Sequence, residues 1–239
     1  MSQSICGISI FFPAFNDERT IGGLVSQALN LLPTFTDDYE VLVVNDGSTD
    51  STQEVLEELA GRSEHLKLVR HERNLGYGVA LRSGFNHATK ELIFYTDGDG
   101  QYDVREMVNM LPLMTKDCDV VNGYKISRSD PAHRKIAGAI YNRFARLFFR
   151  LPIRDVDCDF RLIKRSAMRC IELTSSDGAV CVELIYKLRR SGSAFAEMPV
   201  HHYPRAHGRS QFFTPLRLAR TVRDFSVLWL RLVALQRTR

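Results

Sequence analysis

Apolar and polar residues follow two different rhythms along the first half of the chain. Short runs rich in β-branched and aromatic residues predict strands, whereas stretches with apolar residues three or four positions apart predict helices. The predicted strands are Ile8–Phe12, Glu40–Asn45, Leu66–His71, Glu91–Thr96 and Asp119–Asn122, and the predicted helices between them are Thr20–Leu32, Ser51–Ala60, Gly78–Ala88 and Arg105–Met114. This alternation indicates βαβ units, and therefore an α/β fold with a mostly parallel, buried sheet.

The regular rhythm ends after Asn122. A basic helical stretch near 131–150 precedes a polar loop, a helix near 182–190, a strand near 195–200 and a final helix near 215–236. No internal repeat, low-complexity segment or Pro/Gly-rich linker separates the two halves. We therefore predict a single domain over residues 1–212, with halves at 1–124 and 125–212, followed by an amphipathic C-terminal helix at 213–239.

Composition and charge narrow the class of protein. The 239 residues carry a formal net charge of +4, and Lys and Arg outnumber Asp and Glu from Lys125 onward. This distribution favours an anionic partner such as phosphate groups or a membrane surface, but no nucleic-acid-binding motif accompanies it, so we expect no nucleic-acid partner. The five cysteines form no C-x-x-C pair, and neither a secretory signal nor a run of about 18 apolar residues is recognisable. We therefore expect a cytoplasmic protein.

A group of acidic and amide side chains follows the strand predicted at Glu91–Thr96. Asp97, Asp99 and Gln101 are two residues apart, so on an extended chain their side chains project to the same side. Carboxylate and amide oxygens suit a hard divalent cation, Mg²⁺ or Mn²⁺. A lone D-x-D is more often a solvated acidic turn. Here it lies at the carboxyl end of a strand, where open α/β sheets bind ligands, which favours a metal site.

A second candidate site follows the apolar strand that ends at Asn45. Capping of the next helix explains Asp50 or Ser51, but it does not explain Asp46 at the tip of the strand. A carboxylate in that place can accept the ring N–H of a uracil or guanine base, so we predict that Asp46 binds a base. The chain has no P-loop sequence, and its G-x-G at residues 76–78 lacks the third glycine of a dinucleotide-binding fingerprint.

Four motifs of the first half together resemble those of family 2 glycosyltransferases, whose α/β fold is called GT-A. P-A-F-N-D-E at 13–18 is similar to the family's P-x-Y-N-E, V-V-N-D-G-S-T-D-S-T at 43–52 to V-V-D-D-G-S-x-D-x-T, N-L-G-Y-G at 74–78 to N-x-G-x-x-x-A, and D-G-D-G-Q at 97–101 to D-A-D. The resemblance implies that residues 1–124 bind a nucleotide-sugar donor. The residues it assigns to this donor are Pro13, Phe15, Asp17, Asp46, Asn74 and Gly76. Asp17 stands where the family usually has Glu, and Asn45 replaces the first of two carboxylates.

Segments of the second half resemble the polyprenyl-phosphate sugar transferases, the dolichyl-phosphate mannose synthase group. R-D-V-D-C-D-F-R at 154–161, N-G-Y-K at 122–125 and R-A-H-G-R-S at 205–210 are the similar segments. The resemblance implies that residues 125–212 bind a lipid-phosphate acceptor. It assigns Lys125, Arg154 and Arg161 to the acceptor phosphate, Asp155 to the orientation of the arginines, and Arg205 and Ser210 to the donor diphosphate.

The implied reaction is inverting transfer of a hexose from a UDP- or GDP-sugar to a polyprenyl phosphate. Asp99, with Asp97 and Gln101, would hold the metal ion that stabilises the departing diphosphate. A sugar hydroxyl as acceptor is the first alternative, and because a hydroxyl needs a general base, Asp159 is then the candidate. A nucleotidyltransferase and a non-catalytic nucleotide-sugar-binding protein are further alternatives. A nucleotidyltransferase would need a Gly-rich loop after the first strand, and residues 13–18 contain no glycine; a non-catalytic protein is disfavoured because both D-x-D carboxylates are present.

A lipid acceptor implies contact with a membrane. The tail at 212–235 alternates arginines with apolar residues and includes Trp229. This pattern fits an interfacial amphipathic helix and a helix packed on the domain equally well. We expect a peripheral protein at the cytoplasmic face of a membrane, held by the membrane itself or by a membrane-protein partner.

Overall fold

The fold comes from a computed structural model, which describes residues 7–128, 132–205 and 223–234. The strands are β1 Ile8–Ala14, β2 Tyr39–Asn45, β3 Leu66–Arg70, β4 Leu92–Thr96, β5 Val120–Arg128, β6 Phe160–Lys164 and β7 Phe195–His202. The helices are α1 Ile21–Leu31, α2 Thr52–Ala60, α3 Tyr77–His87, α4 Ala132–Phe149, α5 Arg165–Met168 and α6 Val180–Arg190, with 3₁₀ helices at Leu32–Thr34 and Val104–Leu113. A C-terminal helical segment covers residues 223–234 and ends in a π-helical turn at Leu230–Ala234.

The strands form one sheet of seven, in the order β3-β2-β1-β4-β6-β5-β7. Strands β1 to β4 are parallel to their neighbours among themselves, and β5 is parallel to β7. Strand β6 is antiparallel to both β4 and β5. The predicted α/β fold with a mostly parallel sheet is therefore confirmed, and the carboxyl ends of β1, β2 and β4 meet at one edge.

Strand β6 corrects the sequence analysis, which placed these residues in a polar loop. Phe160, Leu162 and Ile163 are completely buried, and so is Arg161 between them. The arginine breaks the apolar pattern, and a charged residue inside a short run weakens the prediction of a buried strand. The segment is nevertheless a central strand because Arg161 has buried partners, described below.

Helices cover both faces of the sheet. On β1, Ile8 and Phe12 pack into the core beneath α1 and α2, whereas Phe11 packs into the core beneath α3 and α6. All three side chains are completely buried. A strand buried on both faces carries an uninterrupted apolar run, which is why its sequence identifies it clearly.

A third core joins α4, α6 and the C-terminal helical segment. Leu228 and Leu232 of that segment are buried, and the Tyr186 hydroxyl donates to the Leu232 carbonyl at 2.7 Å. Trp229 Nε1 donates to the Phe148 carbonyl at 3.2 Å. The helix predicted at 213–239 could either lie on a membrane or pack on the domain. Its described part, residues 223–234, packs on the domain. Residues 213–222 and 235–239 lie outside the described residues. Within the described residues, no helix has both the length and the apolar composition needed to cross a membrane.

Candidate active site

A cleft of about 1200 Å³ opens at the edge of the sheet where β1, β2 and β4 end. Ten of the residues that the sequence assigns to substrate, metal or catalysis line this cleft. They are Pro13, Phe15, Asp17, Asp46, Asn74, Gly76, Asp97, Asp99, Asp159 and Arg205. The topology therefore brings together side chains that are far apart in the sequence, as expected for the carboxyl edge of an open α/β sheet.

The loop after β1 is fixed against the turn after β2. The Asp17 carboxylate accepts the Phe15 backbone N–H at 3.0 Å, and Thr52 Oγ1 accepts the Asp17 N–H at 2.9 Å. Asn16 has a left-handed backbone with φ 58°, which Asn tolerates better than most residues. The Asn16 N–H donates to Ser48 Oγ at 3.0 Å. These bonds fix the positions of Phe15 and Asp17, which both line the cleft.

Asp46 holds the loop between β3 and α3. Its carboxylate accepts the backbone N–H groups of Leu75 at 3.0 Å and Gly76 at 2.9 Å, and it lies 2.6 Å from His71 Nδ1. An ionised carboxylate can accept about four hydrogen bonds, so these three contacts leave room for one more. Asp46 is thus a positioning residue for the loop as well as a cleft-lining carboxylate.

Carboxylates crowd together in the floor of the cleft. Burial raises the pKa of Asp97 well above its ordinary value, and repulsion from Asp159 and Asp99 acts in the same direction. The Tyr77 hydroxyl donates to Asp97 Oδ1 at 2.7 Å. Burial likewise raises the pKa of Asp17 to about 6, with repulsion from Asp99 adding to the effect. Such a cluster favours a cation, because a positive charge removes the mutual repulsion.

The basic counterpart of this cluster is Arg205. Its guanidinium donates to Asp99 Oδ2, and the Gln101 backbone N–H donates to Asp99 Oδ1 at 3.0 Å. The Gln101 side chain turns away from the cleft and donates to the Tyr203 carbonyl at 3.1 Å. The structure therefore brings Asp97 and Asp99 together but not Gln101, contrary to the predicted three-residue metal set.

The carboxylates nevertheless fit a divalent cation by their chemistry. Oxygen donors from Asp97 and Asp99 are of the type that Mg²⁺ and Mn²⁺ prefer, and such ions commonly take few protein ligands and complete their coordination with substrate phosphates. Within residues 7–128, 132–205 and 223–234, no three His, Cys, Asp or Glu side chains form a complete metal-ligand set. The residues thus fit an ion held jointly with a phosphate-bearing ligand.

Asp159 and Arg161 form a buried ion pair beside the cleft. Arg161 Nη1 donates to Asp159 Oδ1 at 2.7 Å and to the Tyr95 hydroxyl. The other two nitrogens of the guanidinium are also bonded: Nε donates to Asn122 Oδ1 at 2.6 Å, and Nη2 donates to the Val156 carbonyl at 2.5 Å. Arg161 is completely buried and does not line the cleft. The structure thus places Arg161 away from the cleft in which the predicted contact with an acceptor phosphate would form; the arginine instead donates to Asp159, which does line the cleft.

The other predicted acceptor residues also lie away from the cleft. The Lys125 side chain is 4% exposed, and its ammonium donates to the Asp157 carbonyl. Arg154 faces solvent, where it pairs with Glu197 at 3.4 Å. Asp155 does not orient the arginines as predicted. Its carboxylate instead accepts Asn142 Nδ2 at 2.9 Å and the Lys125 backbone N–H at 3.3 Å. Ser210 lies outside the described residues.

Several cleft residues were not predicted from the sequence. Tyr77, Tyr141, Cys181 and Arg223 line the cleft, as does the loop at 176–179. One signal for that loop was available in the G-x-G at 76–78. A Cβ on Gly76, whose φ is +101°, would lie 2.4 Å from the Ser176 carbonyl oxygen, and one on Gly78 would lie 2.2 Å from that of Ser175. Glycines that permit such close approach of two backbones often mark a packed loop.

Two solved structures share the fold of this chain. Glucosyl-3-phosphoglycerate synthase from Mycobacterium tuberculosis, in complex with UDP, is 18% identical, with a TM-score of 0.69 over 95% of this chain and 79% of that one. Mannosyltransferase PcManGT from Pyrobaculum calidifontis, in complex with GDP-Man and Mn²⁺, is 20% identical, with a TM-score of 0.69 over 95% of this chain and 64% of that one. The fold is thus that of the GT-A glycosyltransferases.

The sequence assigns the family independently of the fold. The profile of Glycosyl transferase family 2 matches residues 9–172, a range that runs from β1 past α5 and includes every carboxylate of the cleft floor. The chain therefore belongs to this family. Glycosyltransferase AglD from Haloferax volcanii is 28% identical in an alignment of 207 residues that covers 83% of this chain. The matched region is 33% of AglD, so the chain spans about a third of the length of that curated relative.

Proposed function

We propose that the protein is an inverting hexosyltransferase that takes its sugar from a UDP- or GDP-hexose. The observation that carries this proposal is the cleft at the carboxyl edge of the sheet, where Asp17, Asp46, Asp97 and Asp99 meet Arg205. Membership of family 2 supports the class of reaction. Structural relatives hold UDP with Mn²⁺ in one case and GDP-Man with Mn²⁺ in the other, which supports both donor classes.

The base of the donor would bind at the entrance of the cleft. Phe15 is 36% exposed there, which leaves its ring available for stacking. Asp46 can accept one hydrogen bond beyond its three internal ones, and the ring N–H of uracil or guanine is a matching donor. Asp17 lies on the same side, held by the Thr52 hydroxyl.

Asp97 and Asp99 would hold Mg²⁺ or Mn²⁺ together with the donor diphosphate. When bound, the ion supplies positive charge that stabilises the leaving diphosphate. Arg205 is already paired with Asp99. In the donor complex its guanidinium can turn to the diphosphate, since a planar fork of N–H donors suits phosphate oxygens. The crowded carboxylates would then be balanced by the cation in place of the arginine.

The acceptor we favour is a polyprenyl phosphate, met by a peripheral protein at the cytoplasmic face of a membrane. Its phosphate oxygen is anionic near neutral pH, so transfer needs no strong general base. Lys125, Arg154 and Arg161 do not line the cleft, and Arg205 is assigned to the donor diphosphate, so the cation that would position the acceptor phosphate is Arg223, which lines the cleft. This revises the residues that the sequence assigned to the acceptor while keeping the acceptor class.

Asp159 supports a second candidate, transfer to a sugar hydroxyl. The carboxylate lines the cleft, and each of its described hydrogen bonds, from Arg161, Tyr95 and Cys181, goes to Oδ1. Oδ2 is therefore the oxygen that could accept a proton from a hydroxyl nucleophile. The two candidates share the donor site and differ in the acceptor and in whether Asp159 acts as a base.

Two measurements test these proposals. Titration calorimetry with UDP, GDP and CMP, with and without Mn²⁺, should show Mn²⁺-dependent binding of UDP or GDP and weaker binding of CMP; equal binding of all three without metal would contradict the donor assignment. Transfer of radiolabelled hexose is then compared between a short-chain polyprenyl phosphate in detergent and a sugar acceptor. Asp159→Asn keeps an oxygen acceptor for Arg161; once its melting temperature shows that the variant is folded, its transfer to the phosphate should stay within about threefold of wild type. Transfer only to the sugar, lost in Asp159→Asn, would establish the second candidate.

A further inference from the structure

Helix α4 is apolar on the side that faces away from the domain. Asn142, Ala145 and Phe149 are buried against the domain. Ile136, Ile140, Phe144, Leu147 and Phe148 point outward, and their exposed fractions are 61%, 51%, 51%, 71% and 45%. Spacings of three and four residues place these five side chains on one side of the helix. An outward side made of large apolar residues reverses the usual pattern of a surface helix.

The C-terminal helical segment widens this surface. The Trp229 ring meets the Phe148 ring edge to face, with 6.4 Å between centroids, so the segment lies alongside the end of α4. Val227 and Leu230 of the segment are 40% and 51% exposed. We define the apolar face as Ile136, Ile140, Phe144, Leu147, Phe148, Val227 and Leu230. Exposed apolar side chains of this number, on two helical elements that touch through Phe148 and Trp229, mark an interaction site.

The charges around the apolar face are positive. The α4 sequence contains Arg and Lys at four positions and neither Asp nor Glu, and Arg143 and Arg146 are exposed beside the apolar residues. A second copy of this chain would bring the same positive charges opposite each other, which disfavours a symmetric dimer through this face. Large apolar side chains flanked by cations, on a helix whose sequence contains no Asp or Glu, are instead the composition of an interfacial helix on anionic lipid.

We propose that the apolar face binds the surface of an anionic membrane, with α4 lying in the plane of the headgroups. This proposal rests on the proposed function and names the surface by which a lipid acceptor would be reached. Tyr141, on the domain side of α4, lines the cleft. The same helix would therefore touch the lipid on one side and the cleft on the other, so that a phosphate at the membrane surface lies beside the cleft.

Vesicle co-sedimentation of the full chain tests the proposal. Wild-type protein should bind vesicles that contain phosphatidylglycerol, bind pure phosphatidylcholine much less, and dissociate as the salt concentration is raised. Phe144→Ser with Leu147→Ser should weaken binding about tenfold or more, because two large side chains would no longer enter the lipid. The matched control is Val108→Ser with Leu113→Ser, which removes two apolar residues that are 38% and 37% exposed on the 3₁₀ helix Val104–Leu113. The control should bind like wild type.

Three outcomes would overturn the proposal. The first is that the wild type binds neither vesicle, and the second is that the Phe144/Leu147 variant binds vesicles as well as the wild type does. The third is that light scattering shows the wild type to be a dimer and this variant to be a monomer. Melting temperatures of both double variants establish that each is folded. Nucleotide binding and sugar transfer in detergent do not depend on vesicles, so their failure in the wild type would count against the proposed function. If the Phe144/Leu147 variant retains both, its defect is limited to membrane binding.

Discussion

Replacement of Arg161 by Ala distinguishes the structural role of this arginine from the substrate-binding role that its motif suggests. Its guanidinium makes four described hydrogen bonds, to Asp159, Tyr95, Asn122 and Val156, and its side chain is completely buried. Removal of one partner of a buried ion pair costs about 3–5 kcal/mol, because the remaining charge is left buried without compensation. At about 2–4 °C per kcal/mol for a chain of this size, the melting temperature should fall by roughly 6–20 °C.

The assay is thermal unfolding followed by circular dichroism, with Arg154→Ala as the matched control. Arg154 has the same side chain in the same motif, but it is 64% exposed and its described ion pair is with Glu197. An exposed ion pair contributes about 0–1 kcal/mol, so the control should melt within about 4 °C of wild type. If Arg161→Ala also melts within that range and loses only the use of a phosphate acceptor, the arginine contacts the substrate and our account of the buried pair is wrong.

Three other predictions concern the cleft. Asp99→Asn should lower transfer by about 100-fold or more, because charge stabilisation by a bound cation is worth several kcal/mol, while its melting temperature stays within about 2 °C of wild type; full activity of the variant at saturating Mn²⁺ would contradict this. Metal-free protein should lose stability as pH rises from about 4 to about 7. The pKa of Asp97 is raised in the folded state, and that of Asp17 is raised to about 6. The folded state therefore binds more protons than the unfolded state in this pH range. Asp97→Asn should flatten this slope in melts of the metal-free protein, and an unchanged slope would show that other groups cause it. Gly76→Ala should destabilise the folded protein by about 1–3 kcal/mol in urea titrations and raise the donor KM. The control is Gly192→Ala, which is also at positive φ but has open space around it and should show only the backbone strain. Equal effects of the two substitutions would mean that contact with the neighbouring loop is unimportant.

The first half of the chain could be predicted from the sequence because its signals are local. Strands β1, β2 and β4 are buried on both faces and read as apolar runs, and the helices between them have a clear period. Once the parallel order is known, the ends of these strands must share one edge. That is why Asp17, Asp46 and Asp97, which follow three different strands, line one cleft.

The second half was harder to predict because charged residues there are buried. The resemblance assigned Lys125 and Arg161 to an acceptor phosphate, yet both lie inside the protein with carbonyl and carboxylate partners. Such burial depends on pairs that are distant in sequence, such as Arg161 with Tyr95 and Asn122, and a single sequence does not show these pairs. For the same reason β6 was not predicted.

The close contact between residues 76–78 and the loop at 174–178 sets a constraint on chimaeric enzymes. The Gly78 N–H donates to the Ser176 carbonyl at 3.1 Å, and the Glu183 carboxylate fixes the loop by accepting the Thr174 and Ser175 N–H groups. A recombination boundary near residue 124 would separate these fitted backbones. Exchange of acceptor halves between relatives should therefore give a folded enzyme only when residues 76–78 are transferred together with the loop. The unit that must be exchanged then consists of two segments that are far apart in the sequence.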